Sequence, residues 1–587
     1  MKKIINNNRR RFLQYSALGA AASAFPGLLS AQTGQIKSFP SASFHPDVEI
    51  EFTARKAYVP ILQSGPNTNV QKYYAKLLKG PKQTLVSLKG NYLGPILNFE
   101  KGQKVRVYFY NRLSEPSIIH WHGLHVPQKS DGHPMYSIMP GERFVYEFEV
   151  VNRAGTSFYH SHTHELTAEQ VYKGLAGLIT VTDEQEKALG LPAGEFDMPL
   201  VIQDRSFDQR NQLRYVRGMH GRMMGFLGDK ILVNGEPDIL FSVKSTAYRF
   251  RAVNGSNSRI YKLGWDDGTP LTAIGTDAGL LENPETRPYI MLAPGERLDL
   301  WLDFSGRKVG EKLVLYSLPY SGAMPPMYER MKNNRGAGQI QGGGMHGGMG
   351  MKGGMGGMGM MGGSLAQGGK FAIATFKVVE QVGDSPKLPS RLATIKRLTE
   401  RDVDNAGHPI PIGISMKPGA PQLNGKSFAL NRVLDFEKVP VDSIKKIKIF
   451  HDHGPMKKDH GGGGEKDGMQ MEGSMQGMSG GMGMMGGGMM GGGGMGGGMM
   501  MSMAHPIHLH GQQYQILSRK IGGMRREEYD TVKEGFIDSG WKDTVLVMPG
   551  EEIEIIKPFQ DYTGLFLYHC HNLEHEDLGM MRNFYVS

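Results

Sequence analysis

Four histidine pairs stand out in this chain of 587 residues, and in each of them one residue separates the two members. The pairs are His120/His122 in H-W-H-G, His160/His162 in H-S-H, His508/His510 in H-L-H-G and His569/His571 in H-C-H. Alternate residues of a β-strand point to the same face, so each pair can direct two imidazoles into one cavity. Imidazole binds copper, zinc, iron and nickel. One such pair is usually incidental, but four of them around a single cysteine predict a metal centre.

Cys570 is the only cysteine of the chain and stands between the two histidines of the last pair, so it points to the opposite face of its strand. His505 precedes the third pair by three residues and also faces away from it. A cysteine, two histidines and a weak axial methionine are the ligands of a blue copper site. The residues that predict such a site are His505, Cys570, His575 and Met580. A bound metal also explains why a lone thiol persists in a chain that looks exported.

The C-terminal motif H-C-H-N-L-E-H-E-D-L-G-M and the three other histidine motifs resemble the copper signatures of the multicopper oxidases, a family that includes laccases. Four segments of the middle of the chain resemble the second domain of that family: Ile231–Pro237, Tyr248–Asn254, Ile274–Asp277 and Ala293–Leu298. The resemblance implies an all-β chain of three cupredoxin-like Greek-key β-sandwich domains, with Gly/Met-rich loop insertions. It also implies a three-copper cluster between the first and third domains.

By motif position, the resemblance implies four copper ions. The type 1 copper would be held by His505, Cys570, His575 and Met580, with Met581 a poorer axial candidate. The type 2 copper would be held by His120 and His508. The type 3 pair would be held by His122, His160, His162, His510, His569 and His571. Asp131 and Glu576 match acidic positions that assist proton delivery in similar oxidases, and we expect them to be the catalytic carboxylates.

Short runs of β-branched and aromatic residues between Gly, Pro and Asn turns predict the strands that carry these motifs. They are Lys104–Tyr110, Arg143–Val150, Leu175–Thr182, Ala247–Val253, Arg297–Phe304, Phe371–Val379, Ile444–Phe450, Tyr514–Ser518 and Glu552–Lys557. Many short strands favour β-sandwiches. We predict domains at 45–185, 195–385 and 390–587.

Two Gly/Met-rich segments, 342–363 and 451–503, cannot bury a core and are predicted to be loop insertions in the second and third domains. The second segment ends just before His505 with Met499, Met500, Met501 and Met503. Thioethers select Cu(I), so these methionines are candidates for delivering cuprous ions. The alternative is that the loops only cover the type 1 site and limit access by bulky organic molecules.

The N-terminus contains Arg9, Arg10 and Arg11 before a short apolar stretch, which resembles a twin-arginine signal peptide over residues 1–31. We therefore expect a periplasmic protein. The net charge of +10 is spread along the chain, which argues against a nucleic-acid partner. No segment predicts a membrane span, and we expect a monomer.

The sequence favours an oxidase that couples oxidation of Cu(I), or of another small reductant, to reduction of dioxygen, with a role in copper tolerance. The alternatives are a laccase-like oxidase of phenols and aromatic amines, and a non-catalytic copper-binding or storage protein. A structural protein that has lost its coppers fits poorly, because the ligand set is complete. A two-domain nitrite reductase fits the length poorly.

Overall fold

The computed structural model describes residues 38–88, 90, 92–215, 218–326, 328, 365–417, 420–452, 502–522 and 525–587. The predicted signal peptide, the 342–363 segment, and Met499, Met500 and Met501 lie outside these residues. In the described part of the chain, no helix is long and apolar enough to cross a membrane.

The first sandwich comprises two sheets, ordered β2-β1-β5-β7 and β3-β4-β9-β8-β6. Its strands are β1 (Val48–Val59), β2 (Thr68–Lys79), β3 (Leu85–Val86), β4 (Ile96–Glu100), β5 (Lys104–Asn111), β6 (Ile119–His122), β7 (Arg143–Glu149), β8 (Gly155–Ser161) and β9 (Ala176–Thr182). Alternation sets the inner face of β1, where Val48, Ile50 and Phe52 are buried. Phe52 then packs edge-on against Tyr159 of the other sheet, with ring centroids 5.3 Å apart.

The second sandwich also has two sheets. Its strands are β10 (Asp197–Arg205), β11 (Lys230–Val233), β12 (Glu236–Pro237), β13 (Leu240–Lys244), β14 (Ala247–Asn254), β15 (Tyr261–Trp265), β16 (Leu271–Thr276), β17 (Gly279–Arg287), β18 (Ile290–Leu292), β19 (Arg297–Asp303), β20 (Lys312–Ser317) and β21 (Phe371–Glu380). The sheet orders are β12-β11-β10-β14-β19-β16-β17 and β13-β21-β20-β15-β18. Phe250 and Phe376, one from each sheet, meet in its core with ring centroids 5.2 Å apart.

The third sandwich carries the C-terminal motifs. Its strands are β22 (Ile410–Lys417), β23 (Ala420–Leu423), β24 (Lys438–Val439), β25 (Ser443–His451), β26 (His505–Leu509), β27 (Tyr514–Ile521), β28 (Trp541–Lys542), β29 (Thr544–Val547), β30 (Glu551–Phe559), β31 (Gly564–Cys570) and β32 (Met581–Val586). They form sheets ordered β23-β22-β25-β30-β27-β28 and β24-β32-β31-β26-β29.

Helices in the described residues are short and sit between strands. They are α1 (Thr167–Tyr172), α2 (Glu184–Lys187), α3 (Met219–Met224), α4 (Arg526–Asp530) and α5 (Leu573–Asp577). Helix α5 contains the candidate blue copper residue His575, and helix α3 contacts that residue through the carbonyl oxygen of Met223.

The prediction of an all-β chain of three cupredoxin-like sandwiches is confirmed. Every strand predicted from the sequence is present, and its ends differ by at most three residues from those expected. The strand groups fall inside the predicted domain limits, which themselves stay a prediction.

Candidate metal centre

Strand register brings the four histidine pairs together. In the first sandwich β6 pairs antiparallel with β8, which places His120 opposite His160. In the third sandwich β26 pairs with β31, which places His508 opposite His569. Only the first pair lies wholly within a strand; the second member of each other pair follows the strand end by one residue. The prediction that both members of every pair lie in a strand is therefore wrong for three of the four pairs. Their imidazoles nevertheless converge.

The eight imidazoles form three groups, in each of which the donor atoms lie within 4.8 Å of one another. The groups are His120/His122/His508, His122/His160/His571 and His162/His510/His569. The last two groups contain, between them, all six residues predicted as type 3 ligands. The first contains the two predicted type 2 ligands, whose Nε2 atoms are 3.3 Å apart. Residues from the first and third sandwiches contribute to every group, so the centre forms only at their interface.

Most of these imidazoles are anchored by the ring nitrogen that points away from the cluster. Nδ1 of His120 lies 2.6 Å from the carbonyl oxygen of Asp131, and Nδ1 of His160 lies 2.9 Å from that of Ser161. Nδ1 of His569 lies 3.1 Å from the carbonyl oxygen of Cys570. A carbonyl oxygen only accepts, so each of these nitrogens carries the proton. The opposite nitrogen is then left with a lone pair directed into the cluster, which is the form that binds a metal.

The donor set fits copper ions. Burial, followed by the neighbouring imidazoles, holds the pKa of His120, His510 and His571 well below the usual histidine value, so these rings are neutral. Inward nitrogens of different rings approach to 3.2 Å for His510 and His569, and to 3.4 Å for His122 and His160. Two nitrogens bound to one first-row metal ion at about 2 Å are separated by roughly this distance. Among the described residues, neither buried ring nitrogen of His571 has a hydrogen-bond partner, which leaves the ring available to a metal ion.

Asp131 touches the cluster from the side of the first sandwich. Its carboxylate oxygen Oδ2 accepts a hydrogen bond of 2.7 Å from Nδ1 of His510, a residue of the third sandwich. Burial raises the pKa of Asp131 well above the usual aspartate value, opposed in part by Lys557. The predicted catalytic position of Asp131 is therefore next to two candidate ligands.

Glu576 lies in helix α5 on another side of the same histidines. Its Oε2 is 3.1 Å from Nδ1 of His569, and its Oε1 is 3.6 Å from Nδ1 of His162. Burial alone would raise its pKa, but His162 and His569 outweigh burial and lower the pKa of Glu576 to about 2. The two predicted carboxylates are thus both buried against candidate ligands, while neighbouring Asp577 instead accepts from the backbone N–H groups of Thr167 and Ala168.

Sequence reasoning missed a third carboxylate at the cluster, Asp543. Its Oδ1 is 3.1 Å from Nε2 of His122, and its carbonyl oxygen is 2.9 Å from Nδ1 of His508. Burial would raise its pKa, but Arg297 and then His122 hold the pKa of Asp543 well below the usual value. The sequence offered one signal for this carboxylate. Two charged residues, Lys542 and Asp543, come directly before the apolar strand β29.

The predicted blue copper residues also meet. The thiol sulfur of Cys570 lies 3.3 Å from Nδ1 of His505 and 3.7 Å from Nδ1 of His575. These three residues form one buried group with metal-ligand spacing. Met580 belongs to the same apolar cluster as Cys570, whereas Met581 is not a member of that cluster. Burial raises the pKa of the Cys570 thiol, a cost that a bound cation offsets because it favours the thiolate.

Other histidines interpreted as structural or surface residues stay apart from these groups within the described residues. His125 contacts Asp561, His133 contacts Asn583, and His164 is more than a third exposed. The assignment of each ligand to a copper type stays a prediction.

Sequence profiles of the multicopper oxidase family match residues 69–186 and 496–587, the two parts that carry the histidine motifs. A Staphylococcus aureus protein named multicopper oxidase mco is 27% identical over 517 residues, which cover 88% of this chain and 87% of that protein. A Bacillus stratosphericus laccase is 27% identical over 550 residues, covering 86% and 90% of the two chains.

Among solved structures, the McoA multicopper oxidase of the hyperthermophile Aquifex aeolicus is 28% identical to this chain. The match has a TM-score of 0.67 and covers 93% of this chain and 97% of that one. The matched profiles contain the histidine and cysteine motifs whose side chains converge in the fold. Together these matches support a laccase-like multicopper oxidase, that is, an oxidoreductase with copper cofactors and dioxygen as its electron acceptor.

Proposed function

We propose that this chain oxidises Cu(I) to Cu(II) and uses four copper ions to couple that oxidation to the reduction of dioxygen. The reaction balances as four Cu(I), one dioxygen and four protons giving four Cu(II) and two waters. The observation that carries the choice of Cu(I) is the burial of the candidate type 1 residues beside an apolar cluster that contains several methionines.

Neither imidazole of the candidate type 1 site reaches solvent, since His505 and His575 both have 0% exposure. Several methionines belong to the apolar cluster that contains Cys570. The cluster contains Met223, Met224, Met324, Met416 and Met503 besides Met580. Because both imidazoles are buried, a phenol ring would have to displace covering side chains before it approached either of them. A cuprous ion is small, and thioether sulfur is a soft ligand that selects it.

Copper ions at these sites would accept electrons singly and deliver four of them to dioxygen. The chain supplies the route between the sites, because Cys570 is covalently joined to His569 and His571, one from each predicted type 3 triad. The Nδ1–H of His569 also donates to the carbonyl oxygen of Cys570. Asp131 and Glu576 would relay the protons that water formation consumes, because each lies beside a different candidate ligand.

The proposal extends to a biological role. The twin-arginine motif supports export to the periplasm, and the Met499, Met500, Met501 and Met503 run supports capture of cuprous ions ahead of the type 1 site. Conversion of Cu(I) to the less toxic Cu(II) there would protect the cell against copper.

A laccase-like activity is the second candidate. It is favoured by the similarity to the Bacillus stratosphericus laccase over most of both chains. The buried type 1 residues argue that such an activity is confined to small donors or to donors that transfer an electron across the covering residues.

The experiment is dioxygen consumption by the copper-loaded protein with Cu(I) as the only donor, after subtraction of uncatalysed oxidation. We expect rapid uptake that Cys570→Ser abolishes, because serine cannot supply the thiolate. A phenol serves as the second donor. Uptake with the phenol but not with Cu(I) would establish the laccase-like alternative instead. Bound copper without uptake from either donor would favour a copper-binding protein.

A further inference from the structure

The second sandwich contributes no histidine to the metal-ligand groups of the described residues. Two of its motifs nevertheless end at the cluster. Ile274–Asp277 and Ala293–Leu298, noted in the sequence for their resemblance to the family, place Asp277 and Arg297 against Asp543 of the third sandwich. Ligand geometry alone does not explain why these buried charges lie there.

Arg297 holds the Asp543 carboxylate with both arms of its guanidinium. Its Nη1 donates to Oδ1 of Asp543 at 2.7 Å, and its Nη2 donates to Oδ2. The same guanidinium donates to the carbonyl oxygens of Gly295 at 2.8 Å and Asp277 at 2.7 Å. Because the planar Arg297 guanidinium is itself held by these four hydrogen bonds, the Asp543 carboxylate has little freedom to rotate.

Asp277 fixes the backbone of the same segment. Its carboxylate accepts from the backbone N–H of Arg297 at 2.8 Å, and from those of Thr544 at 3.2 Å and Asp543 at 3.3 Å. Lys542 adds a contact of 3.1 Å from its Nζ to the Asp277 carboxylate. The second sandwich therefore holds Asp543 through both its side chain and its backbone.

Asp543 in turn contacts the outward nitrogens of two candidate ligands from different sandwiches. Its Oδ1 is 3.1 Å from Nε2 of His122, in the first sandwich, and its carbonyl oxygen accepts from Nδ1 of His508, in the third, at 2.9 Å. The hydroxyl oxygen of Thr544 lies 3.2 Å from the His122 nitrogen and 3.1 Å from the His508 nitrogen. One short segment thus orients a predicted type 3 ligand and a predicted type 2 ligand together.

The chain leaves room for this arrangement. Gly123, the glycine of H-W-H-G, has a φ of +93°, and a Cβ there would lie 2.5 Å from Nη2 of Arg297. A Cβ on Gly295 would lie 2.9 Å from the ring of His571. Glycine at both positions therefore lets the guanidinium and the imidazoles approach one another.

We propose that Arg297 is a positioning residue for the copper cluster, acting through Asp543 to set the orientation of His122 and His508. A carboxylate at the outward N–H of a ligand imidazole fixes the ring and increases its basicity as a ligand. Loss of such a partner commonly lowers metal affinity by about 10- to 100-fold. The proposal does not depend on whether Cu(I) or an organic molecule is the electron donor.

The test is Arg297→Gln in the full copper-loaded protein, dialysed against graded concentrations of a chelator. The readouts are copper retained per chain, the electron paramagnetic resonance signal of type 2 copper and the blue absorption of type 1 copper. We expect type 2 copper to be lost at a chelator concentration about 10- to 100-fold lower than for the wild type. The blue absorption is expected to persist, because Arg297 does not contact the type 1 residues. Unchanged retention and an unchanged type 2 signal would overturn the proposal.

Arg259→Gln is the matched control. Arg259 is equally buried in the second sandwich and pairs with buried Asp204 at 2.7 Å, but its side chain does not contact a candidate ligand. If Arg259→Gln lost as much type 2 copper as Arg297→Gln, general destabilisation would explain both losses. That result would also overturn the proposal.

Asp543→Asn provides the second variant, since it preserves the shape of the side chain and leaves Arg297 in place. It is expected to lose copper from the histidine cluster, where the carboxylate contacts His122 and lies 3.4 Å from Nδ1 of His508, and to keep the blue absorption of type 1 copper. If Arg297 acts through Asp543, adding Arg297→Gln to Asp543→Asn causes little further loss. A double variant that loses as much again as each single variant would show that Arg297 acts independently of Asp543.

Discussion

Nε2 of His575 donates a hydrogen bond of 3.0 Å to the backbone carbonyl oxygen of Met223. This bond joins the candidate type 1 site to helix α3 of the second sandwich. Arg222 of the same helix lies 3.9 Å from Asp577 in helix α5, which adds an electrostatic contact between the two helices. Helix α3 therefore covers the outward ring nitrogen of His575.

Met223→Ala combined with Met224→Ala tests this cover. Removal of two buried side chains opens the approach to His575 and removes two thioethers. We expect kcat/KM for a phenol to rise relative to that for Cu(I) by roughly tenfold or more, the size of effect that one or two methylene-scale contacts have on specificity. Steady-state dioxygen uptake with each donor gives the ratio.

Met291→Ala is the control for this double variant, because Met291 is buried in a different apolar cluster. Each truncation is expected to cost about 2–5 kcal/mol of stability, so unfolding midpoints must be measured alongside the rates. An unchanged donor ratio in the double variant, or an equal change in Met291→Ala, would contradict the idea that α3 limits access.

Glu576→Gln is expected to slow dioxygen reduction without slowing electron entry. The substitution keeps the shape of the side chain but removes the carboxylate that faces His162 and His569. Positioned proton transfer is commonly worth about 10²- to 10⁴-fold in rate. Turnover should fall by a factor in this range, while anaerobic bleaching of the type 1 copper by the reductant keeps its wild-type rate.

The neighbouring Asp577→Asn separates this effect from damage to helix α5. Asp577 is also buried, but it accepts from the backbone N–H groups of Thr167 and Ala168, each at 3.0 Å. Its amide variant is expected to lower stability and to leave the rate of dioxygen reduction near that of the wild type. A similar rate loss in both variants would assign the Glu576 effect to structure.

His133 is expected to make the protein sensitive to mild acid. Burial, opposed in part by the hydrogen bond with Asn583, lowers the pKa of His133 to about 4. An unfolded histidine titrates near 6.5, so the unfolded chain binds the proton first as the pH falls. The residue has no effect on stability above about pH 6.5 and reduces it progressively between about pH 6.5 and 4, by up to ~3 kcal/mol.

His133→Gln removes this titration and can still donate to Asn583. The difference in free energy of unfolding between variant and wild type should therefore grow as the pH falls from about 6.5 to 4. Exposed His408→Gln is the control and should follow the wild type across this range. A pH-independent difference for His133→Gln would show that the pKa of His133 is the same in the folded and the unfolded chain.

Local sequence was sufficient for the features that depend on spacing along one strand. Alternation predicted that the two members of His120/His122 face one side, and it predicted that Cys570 faces away from its flanking histidines towards His505. The strands themselves followed from short β-branched and aromatic runs, because a sandwich strand needs one apolar face and little else. The family resemblance added the identities of Asp131 and Glu576, both of which lie at the cluster.

Tertiary structure alone decided how the histidines group. His122 and His160 join His571 of the third sandwich, and His162 joins His510 and His569, so each triad mixes residues far apart in the chain. Only the packing of the first sandwich against the third fixes which imidazoles share a metal.

The contacts that the second sandwich makes with the metal-ligand residues and their neighbours could not be predicted from the sequence either. Arg297 reaches Asp543 across 246 residues, and Met223 reaches His575 across 352. The sequence by itself determined which residue types were available and which faces they occupied, since those follow from the two-residue period of a strand. The folded chain determined which charges and carbonyls lie behind the ligands, because such contacts depend on the packing of three sandwiches, whose orientation no local pattern encodes.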